Sequence, residues 1–161
     1  MVVAENDERL VRLQRLKELQ GAGVNAYPST VNRTHTVEQF LAAFENSDLR
    51  AILAGRIRAQ RRHGGSTFAD LEDGTGRLQI FFSSKDLTEM YEILVTRFDI
   101  GDFIEVTGTP FTTKSGQKSL HVTAVVLLCK ALRPLPDKIH GLTDTEHRYR
   151  QRELDLLANA E

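Results

Sequence analysis

The feature that most constrains the fold of this chain is a change in hydrophobic periodicity after residue 50. Before it, apolar residues recur at helical spacing, and after it they alternate with polar residues at the period of two typical of β-strands. Between the third and fourth strand-like segments, residues 86–98 return to helical spacing. The five predicted strands cover residues 51–61, 67–72, 77–83, 102–113 and 118–130.

Five strands with a helix between the third and the fourth are the chain order of an OB-fold, a small, partly open barrel. We therefore predict a mainly β domain over residues 49–131, built as a five-stranded OB-fold barrel. Helices at 4–20 and 37–45 form an N-terminal helical extension over residues 1–48. The second of them follows a capping box, Thr36 to Gln39.

A linker follows the last strand. Pro134 and Pro136 mark it, because proline cannot sit inside a central strand. Thr143 or Asp144 then caps a last helix, rich in charge, whose leucines have little to pack against. We expect residues 132–161 to be a linker and the start of a catalytic domain that this chain lacks.

The leading helix carries a narrow leucine stripe with charged residues on its other faces. The stripe consists of Leu10, Leu13, Leu16 and Leu19, with Val11 beside it. Such a pattern favours packing on the helix's own domain, with the charges solvated. A surface for RNA or for a partner protein is the alternative.

Composition excludes several function classes. The chain has 161 residues and a formal net charge of -1, so any basic surface for nucleic acid must be local. The single cysteine, Cys129, allows no internal disulfide, and the five histidines show no metal-ligand spacing. No residues form a nucleophile–base pair, so we expect no catalytic residue, metal or cofactor in this chain. No signal or membrane segment is evident, and a cytoplasmic location is expected.

Strand alternation places two aromatic rings and an amide on the outer face of the barrel. If Leu71 and Ile80 point into the core, then Phe68, Gln79 and Phe81 point outward on adjacent strands. OB-folds bind oligonucleotides on this face, where an exposed ring can stack on a base. A helix or loop covering Phe68 is the structural alternative.

Local basic residues accompany this face. Arg56, Arg58, Arg61 and Arg62 lie in the first strand and its loop, and arginine binds phosphate and stacks on bases. A solvated edge strand explains Arg56 and Arg58 equally well. Lys114, Gln117 and Lys118 surround the last hairpin and can close the far rim of the same groove, although a polar hairpin tip is the simpler explanation.

A long, nearly ungapped stretch carries a family resemblance. Residues 131–144, ALRPLPDKIHGLTD, with Glu146 and the run RYRQR at 148–152, closely resemble the segment that joins the two domains of lysine–tRNA ligases, a class II aminoacyl-tRNA synthetase family. AGR at 54–56, LED at 71–73 and GRLQ at 76–79 also resemble this family. Glu153, where tyrosine is usual, and Gln117, where glutamate is usual, depart from its pattern.

The resemblance implies that the barrel holds the anticodon stem-loop of lysine tRNA, with UUU or CUU as anticodon. Phe68 matches the phenylalanine that stacks on the central anticodon base, Gln79 the glutamine that reads the same uridine, and Arg61 an arginine that contacts the anticodon. The full set of expected RNA-binding residues is Phe68, Gln79, Arg61, Arg62, Phe81, Gln117, Arg56 and Lys114.

The resemblance also implies a parent enzyme that forms lysyl-tRNA with ATP and Mg²⁺ and acts as a homodimer. We expect this chain alone to be inactive, because the downstream class II motifs are not in it. Three alternatives stay open: a free-standing OB-fold protein for single-stranded nucleic acid, the aspartate or asparagine branch of the same subclass, and a protein-interaction module.

Overall fold

The computed structural model describes residues 2–134 and 145–158, and five strands dominate it. They close into a barrel in the order β1-β2-β3-β5-β4. Neighbouring strands are antiparallel except for β3 and β5, which are parallel. The predicted mainly β, five-stranded OB-fold is confirmed. The strands are β1 Ala51–His63, β2 Ser66–Glu72, β3 Arg77–Ser83, β4 Phe103–Thr112 and β5 Lys118–Cys129.

The core of the barrel comes from the inward half of each alternating strand. On β2 and β3 the inward side chains are at most 3% exposed. This confirms the facing deduced from the sequence, with Phe68 and Phe81 on the outside. The inward residues of these two strands are Thr67, Ala69, Leu71, Leu78, Ile80 and Phe82.

One long helix and several short helices lie around the barrel. The predicted helix at 86–98 is wrong in its continuity, because it breaks into two helices and a 3₁₀ turn. Thr88 adopts a positive φ of 48°, a conformation that a β-branched residue rarely takes, and it ends the first piece. The helices are α1 Val2–Gly21, α2 Val37–Ala42, α3 Ser84–Leu87, α4 Glu89–Ile93, α5 Thr145–Arg150 and α6 Arg152–Ala158, with the 3₁₀ turn at Val95–Arg97.

The broken helical segment closes one end of the barrel. Tyr91 and Leu94 are buried, and the Tyr91 hydroxyl lies 2.7 Å from Oγ1 of Thr67 on β2. This hydrogen bond satisfies two buried hydroxyls that would otherwise destabilise the core.

The turn between β2 and β3 fixes α2. The predicted capping box of Thr36 and Gln39 is present. In addition, Asp73 accepts hydrogen bonds from the backbone N–H of Val37 at 3.0 Å and of Thr75 at 2.7 Å. Burial raises the pKa of the Asp73 carboxyl, but these hydrogen bonds together hold it below its ordinary value. The ionised carboxylate of Asp73 therefore holds the start of α2 against the turn between β2 and β3.

Helix α1 packs on its own domain, although not through the whole expected stripe. Leu19 is fully buried, whereas Leu10 is 63% and Val11 49% exposed. Arg12 is instead only 3% exposed. Its Nη1 donates to three backbone carbonyl oxygens at 3.1–3.2 Å. One lies in the loop before β4 and two lie in the chain that follows β5. They belong to Ile100, Ala131 and Arg133.

A buried ion cluster holds the end of β5. Lys130 Nζ donates to Asp102 at 2.7 Å and also to Asp99, and neither the Lys130 nor the Asp102 side chain is exposed. Arg15 of α1 pairs with Asp99, and the Tyr27 hydroxyl donates to the Lys130 carbonyl at 3.1 Å. Helix α1, the loop before β4 and the chain leaving β5 are therefore joined by one set of charges.

The predicted linker is described only as far as Pro134, so Pro136 and the cap at Thr143 or Asp144 lie outside the described residues. The last helix consists of α5 and α6 on either side of Gln151. Among the helices described, none has the length and apolar character to cross a bilayer.

Candidate nucleic-acid interface

The outer face of the barrel presents two rows of side chains across five strands. One row runs Arg61, Phe68, Phe81, His121 and Thr109. The next row runs Ala59, Asp70, Gln79, Ser119 and Phe111. Side chains directly opposite on neighbouring strands lie about 5 Å apart at Cβ, so the members of each row are immediate neighbours.

Aromatic rings form the centre of this face. The ring of Phe81 lies 4.9 Å from that of Phe68, 5.6 Å from Phe111 and 5.5 Å from His121, measured between centroids. All four rings are partly exposed. The alternative in which a helix or loop buries Phe68 does not hold. A half-exposed group of rings is a stacking platform of the kind that single-stranded nucleic acids use.

Gln79 lies beside this aromatic group with a fixed amide. Its side chain is only 7% exposed, and its Oε1 accepts a hydrogen bond from the Ser119 hydroxyl at 3.0 Å. Asp70 is its register partner on β2. The second row therefore offers polar hydrogen-bonding groups directly next to the stacking rings.

His121 is held by an acidic partner. Its Nε2 lies 2.8 Å from Asp86 Oδ2 in α3. Hydrogen bonds from His121 and Ser83 hold the pKa of Asp86 below its ordinary value. The imidazole is thereby oriented against the rings of Phe81 and Phe111.

A β-bulge decides which arginine joins the face. The register of β1 against β2 shifts between Ile57 and Ala59, so Arg58 is the extra residue. As a result Arg61 lies opposite Phe68 on the outer face and is exposed. Arg62 falls on the other side, where its guanidinium donates to the carbonyl oxygen of Val95 at 3.1 Å.

Arg56 lies away from the aromatic group. In the register of β1 against β2, Arg56 lies opposite Glu72. Glu72 is four residues from Phe68 on β2, a distance of about 13 Å along the strand. Its guanidinium sits 4.3 Å from the ring centroid of Phe103 and donates to the Gly101 carbonyl. The neighbouring Arg58 pairs with Glu72 at 3.2 Å. The structure therefore places Arg56 and Arg62 outside the surface that holds Phe68 and Gln79.

The β4–β5 hairpin borders the second row. The Gln117 carbonyl lies 3.3 Å from the Ser119 hydroxyl, which brings the hairpin next to Gln79, and Lys114 is exposed at its tip. Lys118 instead turns toward Glu45, at 2.8 Å, and the Phe44 ring. Of the hairpin residues considered, Gln117 and Lys114 border the face.

Alternation on β2 places Asp70 outward with Phe68, but three residues of this face escaped the sequence analysis: Phe111, Ser119 and His121. Alternation from Ile104 and Val106 would have placed Phe111 outward. However, only the parallel pairing of β3 with β5 brings Ser119 and His121 beside Gln79 and Phe81. That pairing joins residues about 40 positions apart, and local patterns do not encode it.

Within residues 2–134 and 145–158 no group of three or more histidine, cysteine or acidic side chains is arranged to hold a metal ion. Cys129 is a free, partly buried cysteine at the end of β5.

Residues 51–128 match the tRNA anticodon family model, described as an OB-fold nucleic acid binding domain. The chain is 43% identical over 157 residues to a lysine–tRNA ligase of Dehalococcoides mccartyi, which covers 93% of this chain and 32% of that protein. It is 43% identical over 159 residues to one of Moorella thermoacetica, covering 98% of this chain and 32% of that protein. The chain therefore spans about a third of the length of these curated relatives.

Proposed function

Since residues 51–128 form an OB-fold nucleic acid binding domain and the chain matches the N-terminal part of lysine–tRNA ligases, we propose that the outer barrel face binds the anticodon loop of a lysine tRNA. The observation that carries this proposal is the joint placement of Phe68, Phe81 and Gln79 on one face. Stacking rings beside a held amide suit an unpaired base, which exposes both its flat surface and its hydrogen-bonding edge.

Within this proposal each residue has a role. Phe68 stacks on the central base of the anticodon, and the adjacent ring of Phe81 enlarges the stacking surface. Gln79 hydrogen-bonds to the edge of that base. Arg61, exposed opposite Phe68, contacts the phosphate or the next base. Lys114 and Gln117 border the bound loop at the hairpin. Arg56 and Arg62 have a smaller part, because their guanidiniums contact protein groups elsewhere.

We infer the parent activity from the relatives that the chain matches, as part of this proposal. The whole protein joins lysine to its tRNA in the cytoplasm with ATP and Mg²⁺, as a homodimer. Residues 49–131 serve as its anticodon-binding domain, residues 1–48 as a helical extension and residues 132–161 as the connection to the catalytic domain. This chain by itself recognises tRNA without joining lysine to it.

Phe68→Ala is expected to weaken binding of a lysine-anticodon stem-loop RNA by about 1–3 kcal/mol, the typical contribution of one base stacked on an aromatic ring. The measurement is a fluorescence titration at one stated salt concentration, because phosphate contacts make affinity depend on salt. Phe103→Ala is the matched control. It removes another partly exposed ring of the barrel, next to Arg56 and away from the Phe68 face.

Binding that changes little in Phe103→Ala and falls in Phe68→Ala supports the proposed face. Equal losses in the two variants, or no loss in Phe68→Ala, would contradict it. In that case the barrel binds single-stranded nucleic acid elsewhere or serves as an interaction module.

A further inference from the structure

A buried serine lies directly behind the amide of Gln79. Ser119 of β5 is 0% exposed and is the register neighbour of Gln79 on β3. Its hydroxyl donates to Gln79 Oε1 at 3.0 Å, while the carbonyl of Gln117 lies farther from it, at 3.3 Å. Of the two acceptors around this hydroxyl, Gln79 Oε1 is therefore the nearer.

This contact decides what Gln79 offers to a ligand. A glutamine amide has an acceptor oxygen and an NH₂ group with two donors, and rotation by 180° exchanges their positions. When Oε1 is held by a buried hydroxyl, the NH₂ group is directed away from Ser119. In the reversed amide, Nε2 would donate to the hydroxyl, the hydroxyl would donate only to the more distant Gln117 carbonyl, and Oε1 would face the ligand.

We propose that Ser119 is a positioning residue that sets base specificity by holding Gln79 with its NH₂ group toward the bound base. This inference rests on the proposed anticodon function. A fixed donor favours a base with a carbonyl oxygen at the facing position. Uracil has the O4 acceptor there, whereas cytosine has an N4 amino donor, and two donors facing each other leave both unpaired.

Ser119 is suited to this role because of its burial. A buried hydroxyl needs a partner, and Gln79 Oε1 is the nearer of its two acceptors, so the hydrogen bond to Gln79 is present before RNA binds. Gln79 is itself nearly buried, which limits rotation of its side chain. The donor is therefore in place before the base arrives, and preorganisation of this kind improves discrimination.

The test compares two anticodon stem-loop RNAs that differ only in the central base, uridine or cytidine, bound to the native chain and to Ser119→Ala. We expect Ser119→Ala to lower the affinity ratio of uridine over cytidine by about 2- to 10-fold, the range of one hydrogen bond. Ser119→Thr, which retains the hydroxyl, should keep the ratio. Thr123→Ala, which removes an exposed hydroxyl from the same strand, should also keep it.

The ratio separates positioning from mere structural support, because general loosening of the barrel weakens both RNAs alike. An unchanged ratio in Ser119→Ala, with clear discrimination by the native chain, overturns the role of Ser119 alone. Equal binding of both RNAs by the native chain overturns the proposed function and this inference together. If Ser119→Ala does not fold, Ser119→Cys, a weak donor of similar size, replaces it, and a preserved ratio again overturns the inference.

Discussion

Lys130→Met is expected to lower the free energy of unfolding by about 3–5 kcal/mol, because it leaves the buried Asp102 carboxylate without its cation. Lys130 is the cation that contacts both Asp102 and Asp99, and its side chain has no exposed surface. Methionine fills a similar volume, so the change removes the charge and its hydrogen bonds more than the packing. Chemical denaturation followed by circular dichroism measures the difference.

The matched control is Lys118→Met. Lys118 also pairs with a carboxylate, Glu45 at 2.8 Å, but its side chain is 48% exposed. Exposed ion pairs contribute about 0–1 kcal/mol, so this variant should stay close to the native chain. Similar losses in the two variants would contradict the idea that burial makes the Lys130 cluster important.

The effect of Lys130→Met should also depend on pH. Burial raises the pKa of Asp102, an effect that Lys130 opposes in the native chain. Loss of Lys130 raises that pKa further above its value in the unfolded chain. A carboxyl of this kind favours the folded state below its unfolded pKa, and that advantage is lost as pH rises through the folded pKa. The deficit of the variant should therefore shrink as the pH is lowered.

Gly108→Ala is expected to lower the free energy of unfolding by about 1–3 kcal/mol, the usual range for overpacking. A Cβ at this position would lie 2.2 Å from the backbone oxygen of His121 and 2.9 Å from Cγ of Leu120. The obstacle is backbone, which cannot rotate away, so β4 and β5 must separate. Because His121 and Phe111 border that seam, the affinity for the anticodon stem-loop should fall too.

Gly74→Ala is the control for Gly108→Ala. A Cβ on Gly74 meets nothing within 4 Å, and its φ is not positive. Thermal unfolding should show Gly74→Ala within about 0.5 kcal/mol of the native chain. If Gly108→Ala melts at the same temperature as Gly74→Ala, the close approach of β4 and β5 has no energetic consequence.

The parts of the site that alternation controls could be predicted from the sequence. Leu71 and Ile80 must enter the core, and a period of two then turns Phe68 and Gln79 outward without any knowledge of topology. The same rule did not place Arg61, because the bulge at Arg58 inserts one residue and reverses the faces beyond it. Whether a strand bulges depends on its partners, which its own residues do not reveal.

Long-range pairing explains what else the sequence did not predict. His121 and Ser119 reach the site only because β5 runs parallel to β3. The helix at 86–98 had the right spacing, yet the positive φ of Thr88 divides it where it crosses the barrel end. On α1, the leucine spacing predicted an apolar buried face. It did not predict the burial of Arg12, whose guanidinium donates to three backbone carbonyl oxygens.

The most direct test of the central claim is the affinity of the native chain for two stem-loop RNAs, one with a UUU anticodon and one with its central uridine replaced by cytidine. Both titrations use the same stated salt concentration. We predict that the UUU loop binds more tightly by about 1–3 kcal/mol, the usual cost of one wrong base. Equal affinities would contradict anticodon reading by the Phe68 and Gln79 face.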